Sequence, residues 1–201
     1  MTRIATTPQD RETVYKIRYA CYSRCGSIPQ NESQQFSDSF DELPNQFSFL
    51  MPDWPATVRI SVARPDLDWL DTPARRVFGD HPALQRLGSY VEANPLCFLE
   101  RAHRDSFCDL LGNMAAMADR FETDWLVACP RVEHVQIYQR MFAFEPLAPA
   151  RKYFGVAFET QLLAISRQNL RAHAARFRPM REAWEKAMST VNRIEVLEPV
   201  C

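Results

Sequence analysis

The sequence predicts a mixed α/β fold in which helices flank one central sheet. Segments with helical periodicity alternate with segments typical of strands, which indicates this class. The 201 residues are enough for one sizeable core, and 46% hydrophobic with 24% charged residues is ordinary for a folded chain. The 5 glycines nearly exclude a glycine-rich loop that cradles phosphate.

The first elements are a strand and a helix. A short strand is predicted at residues 3–6. Thr7 and Pro8 are typical of a helix start, because threonine caps free amides and proline fits the first turn. Val14 and Ile17 recur at helical spacing, so one face of this helix should be buried.

A long loop and a hairpin follow. Residues 26–43 are rich in Ser, Gln, Asn and Asp and predict an extended loop. Loops of this length are usually functional or disordered. Strands are predicted at 47–51 and 57–63, joined across the Pro-Asp-Trp-Pro turn at 52–55.

The middle of the chain predicts a connection and a third long strand. Residues 66–87 are polar and punctuated by proline, with a short helix expected around 74–78. Residues 89–99 have strand character, but Pro95 removes a donor from the hydrogen-bond ladder. We therefore expect this strand to be splayed or bulged at Pro95.

Alternating helices and strands complete the sheet. The strongest helix is predicted at 105–121, followed by a short buried strand at 125–129. A second helix is expected at 132–142, and one or two long strands at 153–165. This order of elements favours a mixed sheet.

The C-terminal segment predicts a basic amphipathic helical extension, which divides the chain into 1–165 and 166–201. Four apolar residues recur seven apart: Leu170, Phe177, Trp184 and Val191. Pro179 should kink or split the helix. The pattern leaves open whether it docks on the body, pairs with a second copy as a homodimer or binds a partner protein, and we expect docking.

Composition also excludes several classes of function. A net charge of −1 provides no global field for nucleic acid or an anionic membrane. No apolar stretch approaches the ~18 residues of a membrane span, and no signal peptide is visible, so we expect a cytoplasmic protein. Six cysteines fit reduced thiols. Cys21 and Cys25 lack a second pair or a suitably spaced histidine, so we expect no metal site.

The segment before the final strands carries a first family resemblance. Residues 138–146 read Tyr-Gln-Arg-Met-Phe-Ala-Phe-Glu-Pro. Together with the order of elements, this resembles the GNAT acyltransferase superfamily, in which a late helix ends in a tyrosine and a Gly-Phe; here Ala143 replaces the glycine. The resemblance covers residues 1–165 and implies a GNAT-like mixed sheet flanked by helices.

Three shorter segments, at 12–22, 38–41 and 57–60, carry a narrower resemblance. Their order and spacing are similar to those of the corresponding segments in the N-acylhomoserine-lactone synthases and the N-acyl amino acid synthases. The matching positions are Arg18, Asp38, Asp41 and Arg59. The resemblance implies that these residues bind substrate or orient the acidic loop through bidentate pairs. The alternative interpretations are acids of a solvated turn and an arginine that flanks the sheet.

Tyr90-Val91-Glu92 is similar to the start of the Glu-x-x-Arg strand of that branch, although Pro95 stands at the arginine position. Acyl transfer from a thioester needs a base for the amine proton and a donor for the developing oxyanion. We predict that Glu92 is the base and that the Leu96 amide is the donor. The alternative interpretation of Glu92 is a structural carboxylate paired on a strand.

The absence of a glycine-rich loop after the strand at 89–99 bears on which acyl donor the protein uses. Residues 99–105 contain no glycine, so the amide cradle for a coenzyme A pyrophosphate is poorly supported. The resembling branch takes acyl chains from acyl carrier protein, and Arg101 and Arg104 suit its phosphate and acidic surface. In the resembling family the helix at 105–121 borders an acyl tunnel, which Met114 and Met117 could line. The alternative interpretation, which we favour, is that both methionines are core residues. The C-terminal extension, residues 166–201, is a candidate surface for binding the carrier protein. No permanently bound cofactor is expected.

The sequence therefore predicts an N-acyltransferase that moves a fatty acyl chain from acyl carrier protein, or acyl-CoA, to the amine of an amino acid or similar metabolite. Two alternatives remain open: a catalytically degenerate GNAT-like binding protein and an N-acylhomoserine-lactone synthase. Nucleic-acid binding through the basic tail is the weakest hypothesis, because its aromatic residues lie on the apolar stripe.

Overall fold

The computed structural model describes residues 2–51, 55–100 and 103–194. The strands are β1 (Arg3–Ile4), β2 (Gln46–Met51), β3 (Ala56–Ala63), β4 (Tyr90–Phe98), β5 (Trp125–Ala128), β6 (Glu145–Pro146), β7 (Arg151–Lys152), β8 (Glu159–Thr160) and β9 (Leu163–Ser166). The helices are α1 (Pro8–Arg24), α2 (Pro73–Phe78), α3 (Pro82–Gln85), α4 (Arg104–Arg120), α5 (Val135–Phe142), α6 (Arg167–Ala174) and α7 (Arg178–Val191). Seven strands form one sheet in the order β1-β2-β3-β4-β5-β9-β6, and β7 pairs with β8.

The centre of the sheet opens between β4 and β5. These strands run parallel and are paired from Tyr90 opposite Trp125 to Ala93 opposite Ala128. Beyond Ala93, β4 continues to Phe98 along β3 alone. The pairing of β3 with β4 shifts register beside Arg59, so the predicted bulge next to Pro95 is confirmed. The result is a V-shaped gap in the sheet.

Helix α1 is set against the sheet by its cap and by its buried face. The Thr7 side chain accepts a hydrogen bond from the Asp10 amide, and the Asp10 carboxylate accepts one from the Thr7 amide. This reciprocal capping box satisfies two amides that the first turn leaves free. Val14, Ile17 and Arg18 are buried. Beyond the capping Asp10, which is also buried, the helix therefore presents one arginine to the sheet beside apolar residues.

The main core lies between the sheet, α4 and the C-terminal helices. Gly112 of α4 lies so close to α7 that an added Cβ would meet the Ala183 backbone at 2.7 Å. Trp184 and Val191 of α7 are buried in the same core. The C-terminal segment thus docks on the body as expected, and the predicted break at Pro179 is the α6–α7 junction.

Two features of the prediction were wrong. The long strands expected at 153–165 are replaced by short β8 and β9 after a turn that contains Gly155 at φ +72°. The aromatic residues of this segment pack on one another, with Tyr153 and Phe154 stacked at 4.3 Å between ring centroids. Helix α3 was not predicted. In the described residues no helix is long and apolar enough to cross a membrane.

Candidate active site

The V-shaped gap holds a cavity of about 670 Å³. Its walls come from the end of α1, the outer half of β4, the starts of α4 and α5, and the loop before β8. Its larger apolar wall residues are Tyr22, Leu96, Phe98, Phe107, Ile137, Tyr138, Met141 and Phe158. Exposed polar residues at its edge are Glu100, His103, Arg104 and His134. The site therefore combines an apolar interior with a polar entrance.

The cavity reaches both faces of the sheet. Ala93 belongs to the core beneath α4, while the neighbouring Asn94 points to the opposite face, because side chains alternate along a strand. Both residues line the cavity. A molecule that enters beside α4 can therefore meet a second molecule that approaches from the face of Asn94.

Glu92 lies on the same strand face as Asn94 and is fully buried. One carboxylate oxygen accepts a 2.7 Å hydrogen bond from the Ala74 amide at the start of α2, and the other accepts a 3.3 Å bond from Asn94 Nδ2. Burial raises the pKa of Glu92 to about 7, despite these hydrogen bonds and the Arg59 charge, which lower it. Glu92 is thus a carboxyl that changes protonation near neutral pH.

Asn94 connects Glu92 to the cavity. Its Nδ2 also donates a 2.7 Å hydrogen bond to Tyr153 Oη, and both Asn94 and Tyr153 line the cavity, whereas Glu92 does not. This pair was not predicted from the sequence. The position of Asn94, two residues after Glu92 on one strand face, was a usable signal; Tyr153 comes from a distant loop and gave none.

Arg59 joins β3, the acidic loop and β4. Its two terminal nitrogens donate to Asp38 in a bidentate pair of 2.6 and 3.0 Å, and one of them donates to Asp41 at 3.0 Å. Its Nε donates to the Asn94 carbonyl at 3.1 Å. Arg59 thus fixes the backbone of β4 where that strand leaves β5.

Arg18 completes the network from α1. One terminal nitrogen donates to both oxygens of Asp41, at 2.7 and 2.9 Å, and the other donates to Ser48 Oγ at 3.0 Å. Burial opposes the charge on Asp41, yet Arg18 and Arg59 hold the pKa of its carboxyl below the usual value. The four predicted residues are therefore brought together with their charges paired to one another. Their direct contact with substrate stays a prediction.

The remaining predicted residues are dispersed. Leu96 and Arg104 line the cavity. Met114 and Met117 are buried in the main core, two and more helical turns beyond Phe107, which is the α4 residue that lines the cavity with Arg104. The structure thus places the two methionines among core residues, not in the cavity wall. Arg101 lies outside the described residues.

The part of the chain that the structure describes contains no group of three His, Cys, Asp or Glu residues suited to a metal ion. Acid–base chemistry at this site can use Glu92, whose carboxyl is buried beside the cavity. Its proton changes near neutral pH, which suits a general base for a protonated amine.

Comparisons with known proteins agree with this geometry. The family model of the N-acyl amino acid synthase FeeM matches residues 13–166. The structure of FeeM from uncultured soil microbes is similar, with a TM-score of 0.70 and 16% identity over 86% of this chain and 98% of that chain. No curated protein matches the sequence.

Two further structures share the fold. BjaI, a CoA-dependent acyl-homoserine lactone synthase with SAM and isopentyl-CoA, has a TM-score of 0.58 and 12% identity over 88% of this chain and 89% of its own. An N-acetyltransferase from Staphylococcus aureus Mu50 has a TM-score of 0.52 and 14% identity over 83% of this chain and 98% of its own. These likenesses confirm the GNAT-like architecture. Because the family model spans most of the chain, the protein belongs to the FeeM family of N-acyl amino acid synthases and is an N-acyltransferase.

Proposed function

We propose that the protein transfers a fatty acyl chain from acyl carrier protein, or from coenzyme A, to the amine of an amino acid. The observation that carries this proposal is the apolar cavity of about 670 Å³ in the gap between β4 and β5, bordered by the Glu92–Asn94–Tyr153 hydrogen-bond chain. The cavity offers the acyl chain an apolar wall, and its edge offers the amine a base.

The donor enters beside α4. Phe107 and Tyr138 lie on that side and give the chain aromatic contacts, while Arg104 is largely exposed at the entrance. A phosphopantetheine arm carries one phosphate, which an arginine binds well. The absence of glycine from residues 99–105 favours the carrier protein over coenzyme A, whose pyrophosphate needs more amide donors.

The acceptor approaches from the other side of Tyr153. A second hollow of about 610 Å³ shares Tyr153 with the cavity and is also lined by Arg76, Arg151 and Lys152. Arg151 is paired with Asp80 and Arg76 lies 3.7 Å from Asp71, and together with Lys152 they leave this hollow cationic enough for a ligand with a carboxylate. An amino acid held there by its carboxylate directs its amine toward the gap, which favours amino acids over amines that lack a carboxylate.

The chemical step needs a neutral amine and a stabilised oxyanion. Glu92 removes the amine proton through one water, since Asn94 separates it from the cavity. The amine nitrogen attacks the thioester carbonyl carbon, and the Leu96 amide donates to the oxyanion. The C–S bond then breaks as the amide forms, the second proton of the nitrogen passes to the leaving thiolate, which departs as a thiol, and Glu92 returns its proton to solvent. Arg18, Asp38, Asp41 and Arg59 position the acidic loop and β4 and bind substrate at the edge of that network.

The test is direct product analysis. The purified protein is incubated with acyl carrier protein or coenzyme A thioesters and a mixture of amino acids, and products are identified by mass spectrometry. We expect N-acyl amino acids, and we expect them to form faster from the acyl carrier protein thioester than from the coenzyme A thioester. The Glu92→Gln variant should form them about 100-fold or more slowly than the wild type. N-acylhomoserine lactones as the main product, or a folded protein that forms no amide, would contradict the proposal.

A further inference from the structure

Cysteine residues are concentrated around the cavity. Four of them line it: Cys21, Cys25, Cys97 and Cys129. All four are free thiols, as is Cys108 in the core beneath α4. Two of the four come from elements that are far apart in sequence, because Cys21 belongs to α1 and Cys97 to β4.

Cys21 packs against the apolar cluster that contains Cys97, and both residues line the cavity. The Cys21 thiol donates a 3.1 Å hydrogen bond to the Phe98 carbonyl oxygen, which belongs to the residue next to Cys97 on β4. The Cys21 side chain is partly exposed, whereas only 3% of Cys97 is exposed. The two sulfurs are therefore an accessible thiol and a buried thiol, held together in the cavity wall.

The surroundings of the two sulfurs favour ionisation of Cys21 over ionisation of Cys97. Interaction with the neighbouring Cys97 thiol, together with the Arg24 charge, lowers the pKa of Cys21, while the same interaction and burial raise the pKa of Cys97. The thiolate is the reactive form of cysteine. Cys21 is thus the sulfur that ionises first, and Cys97 stays protonated beside it.

We propose that Cys21 and Cys97 form an oxidisable site in the cavity wall, which a hydroperoxide converts into a disulfide. The Cys21 sulfur attacks one peroxide oxygen and the O–O bond breaks, which leaves a sulfenic acid and, after protonation, one water. The Cys97 sulfur then attacks the sulfenic sulfur, the S–O bond breaks, and the proton of Cys97 leaves in a second water. Two thiols and one peroxide thus yield one disulfide and two waters.

The oxidation rate of Cys21 should also show whether the acyl donor occupies the cavity, an inference that rests on the proposed function. An acyl donor seated in the cavity covers the exposed side of Cys21 and slows its oxidation. Cys108, on α4, does not line the cavity, so its reactivity should not respond to the donor.

The experiment treats the full chain with hydrogen peroxide, blocks remaining thiols by alkylation, and maps linked peptides without reduction. We expect the Cys21–Cys97 link as the main product. Cys21→Ser cannot form this link, and its total yield of disulfide should be about tenfold or more below that of the wild type. In Cys97→Ser, Cys21 should accumulate as a sulfenic acid trapped by dimedone. Cys108→Ser is the matched control and should leave the link unchanged; circular dichroism checks the fold of each variant.

The results distinguish a failure of the proposed oxidisable site from a failure of the proposal that the acyl donor binds in this cavity. A main link between any other pair, or sulfenic acid at Cys25 with Cys21 still reduced, would overturn the proposed site. If the Cys21–Cys97 link forms at the same rate with and without saturating acyl-CoA, the oxidisable site stands and the donor's place in this cavity is contradicted.

Discussion

Two buried charged regions of the molecule lie on either side of Asn94. In one, Arg18 and Arg59 are paired with Asp41 and Asp38 through several short hydrogen bonds. In the other, Glu92 is buried with amide donors, and no cation of the described residues forms an ion pair with it. The pKa of Asp41 is lowered and that of Glu92 is raised. Paired charges therefore hold the scaffold, while the carboxyl that lies outside the ion-pair network can take up and release a proton near neutral pH.

Removal of Arg59 should break the first region. Arg59→Met leaves Asp38 without its bidentate partner, Asp41 with Arg18 alone, and the bulged β4 without its side-chain donor. Because a buried charge left unpaired is costly, we expect the free energy of unfolding to fall by about 3–5 kcal/mol in urea titrations.

The matched control for that change is Arg178→Met, which removes an exposed arginine paired with Glu182. Surface pairs contribute little, so its unfolding free energy should stay within about 0.5 kcal/mol of the wild type. Equal losses in the two variants would contradict the structural role of the buried network.

Removal of the Glu92 charge should lower the rate of acyl transfer and leave the fold intact. Glu92→Gln keeps the shape and the hydrogen bond from Ala74, but it cannot accept a proton. We expect kcat for acyl transfer to fall about 100- to 10,000-fold, with the protein still folded. A loss of less than about threefold would remove Glu92 from the mechanism and leave it as a structural carboxylate.

The same variant should remove the contribution of Glu92 to the pH dependence of stability. The pKa of Glu92 is about 7 in the folded protein against 4.5 for an ordinary glutamate, so the folded state binds more protons between these values. The wild type therefore loses stability as pH rises from 4.5 to 7, by about 3 kcal/mol for this group. Relative to the wild type, Glu92→Gln should gain stability over that range, measured by thermal unfolding; a constant difference would contradict the raised pKa.

Tyr153→Phe should have the smallest effect. It removes the hydroxyl that accepts from Asn94 Nδ2 but keeps the ring between the two hollows. One neutral hydrogen bond contributes about 1 kcal/mol, so we expect kcat to fall about fivefold with little change in KM for the donor. Tyr19→Phe, on the α1 surface, is the control and should leave kcat unchanged.

The sequence predicted most of the sheet because its strands have local patterns, and Pro95 predicted the bulge because proline lacks the ladder donor. The meeting of Arg18 with Asp41 followed from a family resemblance. The Asn94–Tyr153 and Cys21–Cys97 contacts could not be predicted, since each joins residues that only tertiary packing brings together. The 153–165 strand prediction failed because its aromatic residues pack on one another instead of extending a ladder.

The pH profile of kcat/KM tests the central claim most directly. The reaction of the preferred acyl donor and amino acid is followed from pH 5 to 9 for the wild type and Glu92→Gln. If Glu92 is the base, the wild-type rate rises through one ionisation with an apparent pKa of about 7, and the variant loses that ionisation. A wild-type profile that is flat near pH 7, or a variant that retains the same ionisation, would contradict the account.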